Sequence, residues 1–276
     1  MTKEKYIPRT ALVACSRLVD FAGAEIASLE IAQALSDFGV EVELAALEIG
    51  APVEEEIRLS GIKCIDLSAT SISGREFDLL WVSHYVVAYH LLIKEELRVK
   101  TGVYSSLSHF ESLETPPLTN LFFSRYIVNS EENFDHFFSH YPHLIERLAV
   151  FPNAAPAVFL NGYRELLHGE LTSIAVISNH PPIELTDLID LLRTDGVEVD
   201  LIGVQGRKLR VTPEILSRYS AIITIGKTVQ YCLVTGTPVF CYDHFGGPGW
   251  ITLESFDAAS RKNFSGRCIL RIFIDR

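Results

Sequence analysis

The sequence lacks the features that most often place a chain quickly. Its longest mostly apolar run, residues 79–93, contains His84 and His90. A bilayer span needs about 20 apolar residues, so this run is too short to cross one. The apolar stretch 11–15 behind the charged N-terminus is also too short for a signal peptide. The five cysteines, Cys15, Cys64, Cys232, Cys241 and Cys268, are odd in number and include no Cys-x-x-Cys pair. That spacing argues against a disulfide framework and predicts reduced thiols in a soluble, cytoplasmic protein. Cations are scarce beside acids, 24 against 35, for a net charge of −11. An acidic surface repels a phosphate backbone, which argues against nucleic acid as a partner. A local basic pocket for one phosphorylated ligand, and peripheral contact with a membrane, stay compatible with this balance.

Several motifs are missing as well. Without Gly-x-Gly-x-x-Gly a standard dinucleotide dehydrogenase is disfavoured. The Walker A loop is absent, since Ala221 stands where its first glycine belongs ahead of Gly226. No Gly-x-Ser-x-Gly elbow occurs, which disfavours an α/β-hydrolase. His136, His140 and His143 share a helix-like spacing, but no His-Glu-x-x-His pattern accompanies them, and no metal ligands are assigned.

What is present is an alternation of strand and helix over 276 residues, 48% of them hydrophobic and 21% charged. That composition supports two packed cores rather than a disordered chain. Strands are expected at 11–16, 40–47, 62–67, 77–83, 103–106, 125–129 and 148–151, with 40–47 alternating as an edge strand does. The helix after the 21–25 turn places Ala27, Ile31, Ala34, Leu35 and Phe38 on one face and stops at Gly39. A further helix is expected over 85–97, and Ser130 caps one running to His140. A second series follows, with strands at 173–178, 197–202, 221–225 and 238–242 and helices at 183–193, 213–219 and 228–235. Strand–helix units in series imply parallel, doubly wound sheets, hence an α/β protein of two Rossmann-like lobes, 1–158 and 159–276. Ligands of such lobes sit beyond the C-terminal strand ends, here facing an interlobe cleft.

That position selects the candidate residues. Gly226, Lys227 and Thr228 join a strand to a helix start, where free N–H groups and a lysine attract phosphate. His244, Gly246 and Gly247 lie in a glycine-rich segment after another strand, where backbone N–H groups can approach a ligand. Asn179 and His180 follow the first strand of the second lobe, and Gly23 takes the equivalent place in the first. His84, His109 and Glu111 follow strands of the first lobe and are candidates to act as a base or to polarise a hydroxyl. For each, the plainer alternative is a turn or packing role.

The succession FAGAE-helix-Gly, YIVNSEENF, FPNAAPAVF and YSAIITIGKTVQYCLVTGTPVFCYDHFGGPG resembles bacterial glycosyltransferases of the GT-B fold, those of the glycosyltransferase family 4 or group 1 type. The resemblance covers the chain to about Gly266. It implies metal-independent transfer of a sugar from a nucleotide-sugar to a glycan or lipid-linked acceptor, in polysaccharide or glycoconjugate biosynthesis. No cofactor beyond the substrate is implied. The resemblance gives the donor to Lys227, Thr228, Gly246, Gly247 and His180, sets Gly23 against the donor phosphates or the acceptor, and gives the acceptor side to His84 and His109. Two features depart from it. Relatives carry two glutamates where this chain has Ile223 and Tyr231. After residues 263–267 the sequence becomes CILRIFIDR, which reads as a C-terminal lobe cut short of its bracing helices. A degenerate nucleotide- or sugar-binding protein, or a nucleotide-sugar epimerase of the same architecture, are the alternatives these features leave.

Overall fold

The computed structural model describes residues 7–118, 122–163 and 171–268. The expected stretch after Cys268 lies outside them. Two compact units divide at Phe151 and Pro152.

The first unit is built on β1 (Thr10–Leu18), α1 (Gly23–Asp37), β2 (Glu41–Ile49), α2 (Val53–Ser60), β3 (Lys63–Asp66), β4 (Glu76–Val82), α3 (Tyr85–Tyr89), β5 (Arg98–Ser106), β6 (Arg125–Val128), α4 (Glu131–His140) and β7 (Leu148–Val150). Its seven strands run in the order β3-β2-β1-β4-β5-β6-β7, and every pairing is parallel. Both faces of such a sheet must be covered, so its strands are apolar on both sides. In β1, Leu12 and Ala14 join one apolar cluster with Leu80, Val82, Tyr104 and Tyr126. Ala11, Val13 and Cys15 join the other, with Leu29 and Ala32 of α1 and Val53 and Ile57 of α2.

Four expectations are corrected here. The 40–47 segment is not an edge strand, because β2 pairs with β1 on one side and β3 on the other. Its alternation misleads because Glu43 is buried in ion pairs rather than solvated. The Arg75 guanidinium donates to both its carboxylate oxygens at 2.9 and 2.8 Å, and Lys63 Nζ lies at 2.9 Å. The inward face of α1 is centred on Glu25, Ser28, Leu29 and Ala32, with Ile31 and Leu35 of the expected face packed half-buried beside them and Phe38 82% exposed. Helix 85–97 is shorter than its pattern, with α3 passing into a π-turn at His90–Lys94. Strand β5 starts at Arg98, where Arg98 pairs with Glu76 and Lys100 with Asp78 on the neighbouring strand.

Removing the Glu43 carboxylate leaves two cations facing each other. Glu43→Ala is expected to cost about 1–3 kcal/mol in urea melts. The Arg75 hydrogen bond holds this carboxyl below its ordinary value, with burial opposing. Its contribution is therefore present above the unfolded-state pKa and is lost as pH falls.

The second unit holds β8 (Ser173–Ile177), α5 (Ile183–Thr194), β9 (Glu198–Ile202), α6 (Pro213–Leu216), β10 (Ala221–Thr224), α7 (Lys227–Thr235), β11 (Val239–Asp243), β12 (Gly246–Trp250) and α8 (Leu253–Ser260). The strand order is β12-β11-β10-β8-β9, parallel except for β12, which runs antiparallel to β11. Alternate residues again serve two cores. Ala175, Ile177 and Ile222 pack with Val229 and Cys232 of α7, and Ile174, Val176 and Ile223 with Leu185 and Ile189 of α5. The glycine-rich segment expected to be a loop is thus partly a strand, and α8 behind it, capped by Thr252, was not anticipated.

Candidate functional site

In a doubly wound sheet the loops part where the strand order reverses, and that point accepts ligands. In the first sheet the reversal lies between β1 and β4. Ser16 of β1 and His84, immediately after β4, meet there. The Ser16 backbone N–H donates to His84 Nδ1 at 2.9 Å, and the Ser16 hydroxyl lies 2.7 Å from the same nitrogen. An N–H is only a donor, so Nδ1 is the unprotonated nitrogen and the proton sits on Nε2. Burial lowers the His84 pKa, with the Glu111 carboxylate pulling the other way. His84 is therefore a neutral donor through Nε2, which of its two expected roles fits polarising a hydroxyl rather than acting as a base.

The loop after β5 carries His109 and Glu111 and is tied down by the Glu114 carboxylate. Glu114 is buried and accepts from the backbone N–H groups of Leu107 and Ser108 and from the Ser106 hydroxyl. Burial pushes its carboxyl up to about 7, against those hydrogen bonds. Glu111 itself is exposed and accepts from the Leu113 N–H. His109 leans on α4, where its Nδ1 lies 2.6 Å from Asn133 Oδ1. Its ring stacks on His136 at 4.6 Å, and His136 stacks on His140 at 4.1 Å. Burial, with His109 and His140 adding to it, lowers the His136 pKa. Among the described residues no group of three potential ligands could hold a metal ion. The helical histidine spacing builds a ring stack instead.

Gly23 is exposed at the start of α1, with open space where a Cβ would stand. Two residues on, Glu25 is 6% exposed, and its Oε2 is buried with no hydrogen-bond partner. Burial raises its pKa, while the backbone amides of Ala22, Asp20 and Val19 act in the opposite direction. The seat that a phosphate takes in comparable turns thus already faces a carboxylate of the chain itself. That weakens Gly23 as a contact for an anion.

In the second sheet the order reverses between β8 and β10. Register pairs Thr224 with Ile177 and with Cys241, so three neighbouring parallel strands end together. Beyond them lie Asn179 and His180, then Gly226, Lys227 and Thr228, then His244. Gly226 has φ 62° and opens α7, which a side-chain-bearing residue would adopt only under strain. Its N–H donates to the Phe264 carbonyl at 2.9 Å. Lys227 Nζ donates to the Ala154 carbonyl at 3.3 Å and stands 5.8 Å over the Tyr231 ring. Asn179 Oδ1 accepts from the Val204 N–H at 3.2 Å, while His180 and His244 are exposed.

The packing role accounts for Gly247. In β12 it lies against the Cys241 carbonyl, leaving no room for a Cβ. Gly246, at φ 105°, turns the hairpin. Asp243 secures that hairpin, accepting from the Phe245 N–H at 2.7 Å and the Gly266 N–H at 3.0 Å. Ile223 and Tyr231 are both core residues, the latter stacked on Phe159 at 4.1 Å, so neither offers a carboxylate's contact. The buried groups Ser16, Glu25, Glu114, Asn133 and Asp243 were missed as site residues. Asn133 had a signal in its place behind the Ser130 cap, and Glu114 one in its three-residue spacing from Glu111.

No protein-family model matches the chain, and no curated protein matches it in sequence. In structure it is similar to a crystallised glycosyltransferase from Rickettsia africae ESF-5, with a TM-score of 0.56 at 11% identity. The likeness covers 85% of this chain and 79% of that one. At such an identity the likeness is one of fold. No helix among the described residues is long and apolar enough to cross a membrane.

Proposed function

We propose that the chain is a cytoplasmic glycosyltransferase of the GT-B kind, moving a sugar from a nucleotide-sugar to an acceptor hydroxyl of a glycan or lipid-linked glycoconjugate. The observation that carries the reading is the second sheet's reversal point. There Asn179 and His180 neighbour a nine-residue helix that opens on Gly226, Lys227 and Thr228. The positive end of that helix's dipole, with the Lys227 ammonium, suits a departing diphosphate without a resident metal or cofactor. His84 and His109 serve the acceptor side, the first as a hydrogen-bond donor.

Calorimetric titration with uridine and guanosine diphosphates tests this. Binding to the wild-type chain is expected, weakened by about 1–3 kcal/mol in Lys227→Ala, the loss of a charge-assisted hydrogen bond. An unchanged affinity would move the diphosphate elsewhere. Failure of both nucleotides to bind would remove the donor reading altogether.

One observation favours a second reading, a protein that binds nucleotide or sugar without turnover. The two places where the resemblance expects carboxylates hold buried apolar and aromatic side chains. Donor hydrolysis or transfer by a nucleotide-binding preparation would dismiss it.

A further inference from the structure

We infer that Asn133, itself fixed by Asn129, is a positioning residue that holds His109 in its Nδ1–H tautomer and so makes Nε2 the acceptor of the site. The inference deepens the proposed function in one respect, that His109 faces the acceptor substrate.

The hydrogen bonds admit one assignment. The His109 backbone N–H points at Asn133 Oδ1 at 3.3 Å. A backbone N–H only donates, so the atom of Asn133 facing His109 is the amide oxygen and cannot be exchanged with its nitrogen. His109 Nδ1 lies 2.6 Å from that same oxygen. Two acceptors would repel at this distance, so Nδ1 carries the proton and Nε2 keeps the lone pair. Orientation then propagates inward. Asn133 Nδ2 donates to Asn129 Oδ1 at 2.7 Å. Asn129 and Asn133 are 3% and 2% exposed, so neither amide exchanges partners with water. The chain ends on Asn129 Nδ2, a buried donor with no hydrogen-bond partner. An orphaned amide donor costs free energy. Turning Asn129 over would set its Nδ2 against Asn133 Nδ2, so the orphan is retained.

Helix α4 fixes the relay in place. Ser130 caps it, accepting from the Asn133 N–H at 3.3 Å, so the side chain that orients His109 stands on the first turn of a capped helix. His136 stacks on the imidazole at 4.6 Å, and the Phe110 ring lies tilted against it at 4.0 Å. The site therefore holds two histidines of opposite tautomer. His84, with its Nδ1 occupied by Ser16, offers Nε2–H. His109, with its Nδ1 occupied by Asn133, offers a bare Nε2. A sugar hydroxyl both donates and accepts, and only the second histidine can take its proton.

The test needs no substrate. Long-range proton–nitrogen spectra of the full chain, labelled with nitrogen-15 histidine, separate protonated from unprotonated ring nitrogens. Resonances are assigned by their disappearance in His109→Gln and His84→Gln. At pH 8 His109 is expected as Nδ1–H and His84 as Nε2–H. Asn133→Ala is expected to return His109 to the mixed tautomers of free histidine, and Asn133→Asp, which keeps the accepting oxygen, to restore the Nδ1–H form. Asn129→Ala, one step removed, is expected to weaken the preference. A wild-type His109 protonated at Nε2 would overturn the inference, as would an Asn133→Ala spectrum with His109 unchanged. The wild-type spectrum, assigned with the two histidine variants, decides even if the Asn133 and Asn129 variants fail to fold. A chain that binds neither nucleotide yet shows this tautomer pair would lose the proposed function and keep the relay.

Discussion

Gly247→Ala is expected to destabilise the second unit by about 3 kcal/mol, lowering its melting temperature by roughly 10 °C. The new Cβ would meet the Cys241 carbonyl and crowd the Tyr242 Cα. Cys241 lies in β11, which is paired with β10 on its far side, so the backbone it meets cannot move away without breaking the sheet. The comparison is Gly23→Ala. Gly23 has no neighbour within 4 Å of a built Cβ and stands in the first turn of α1. There alanine is expected to be neutral or to stabilise by a few tenths of a kcal/mol, since it restricts the unfolded chain and favours the helix. Calorimetric melts of the two variants, without ligand, are sufficient. A Gly247→Ala protein melting with the wild type would mean that this segment is a free loop, and its glycines would return to the candidate ligand contacts.

Glu114→Gln is expected to remove most of the neutral-pH penalty in the stability profile. Burial raises the Glu114 carboxyl from 4.5 to about 7. A carboxyl whose folded pKa lies above its unfolded one stabilises fully below the unfolded value, and that stabilisation is lost as pH rises through the folded value. The wild type should thus lose on the order of 3 kcal/mol between pH 4.5 and 7 from this group. Glutamine keeps an oxygen for the Leu107 and Ser108 amides, so the variant should be flatter across that window and more stable at pH 8. Two histidines, one buried and one half-buried, act with the opposite sign. The lowered pKa values of His84 and His136 give stability that is held above about 6.5 and lost on acidification. That acid limb should survive in Glu114→Gln. Parallel slopes for both proteins from pH 5 to 8 would contradict the buried carboxylate.

What could be read beforehand follows from what burial does to pattern. Continuous apolar strands such as 11–15 and 79–82 announce a sheet covered on both faces, and NSEEN announces its helix through the Ser130 cap. Both were legible because hydrophobic periodicity and capping are local. Glu43, Glu25 and Glu114 were not, because a carboxylate is read as solvated unless its partner is known. Those partners are Arg75, 32 residues away, and backbone amides of neighbouring turns. Glu43 thereby disguised an interior strand as an edge, and Glu25 displaced the reading of the α1 face. The 246–250 hairpin was hidden for the converse reason, since glycine carries no pattern to alternate. Among the candidate residues, position after a strand was legible and orientation was not. Sequence order places His84 and His109 beyond strand ends, but their opposite tautomers depend on Ser16 and Asn133, 68 and 24 residues distant.

The order of the first sheet bears on how the chain is born. Strand β1 has β2 and β4 as its neighbours, so its far edge stays bare until residues 76–82 have left the ribosome. Until then a strand with an apolar centre presents unpaired amides, the condition under which nascent chains associate wrongly. A nascent chain paused once residues 76–82 have emerged should give a protease-resistant fragment, and one paused before they emerge should not.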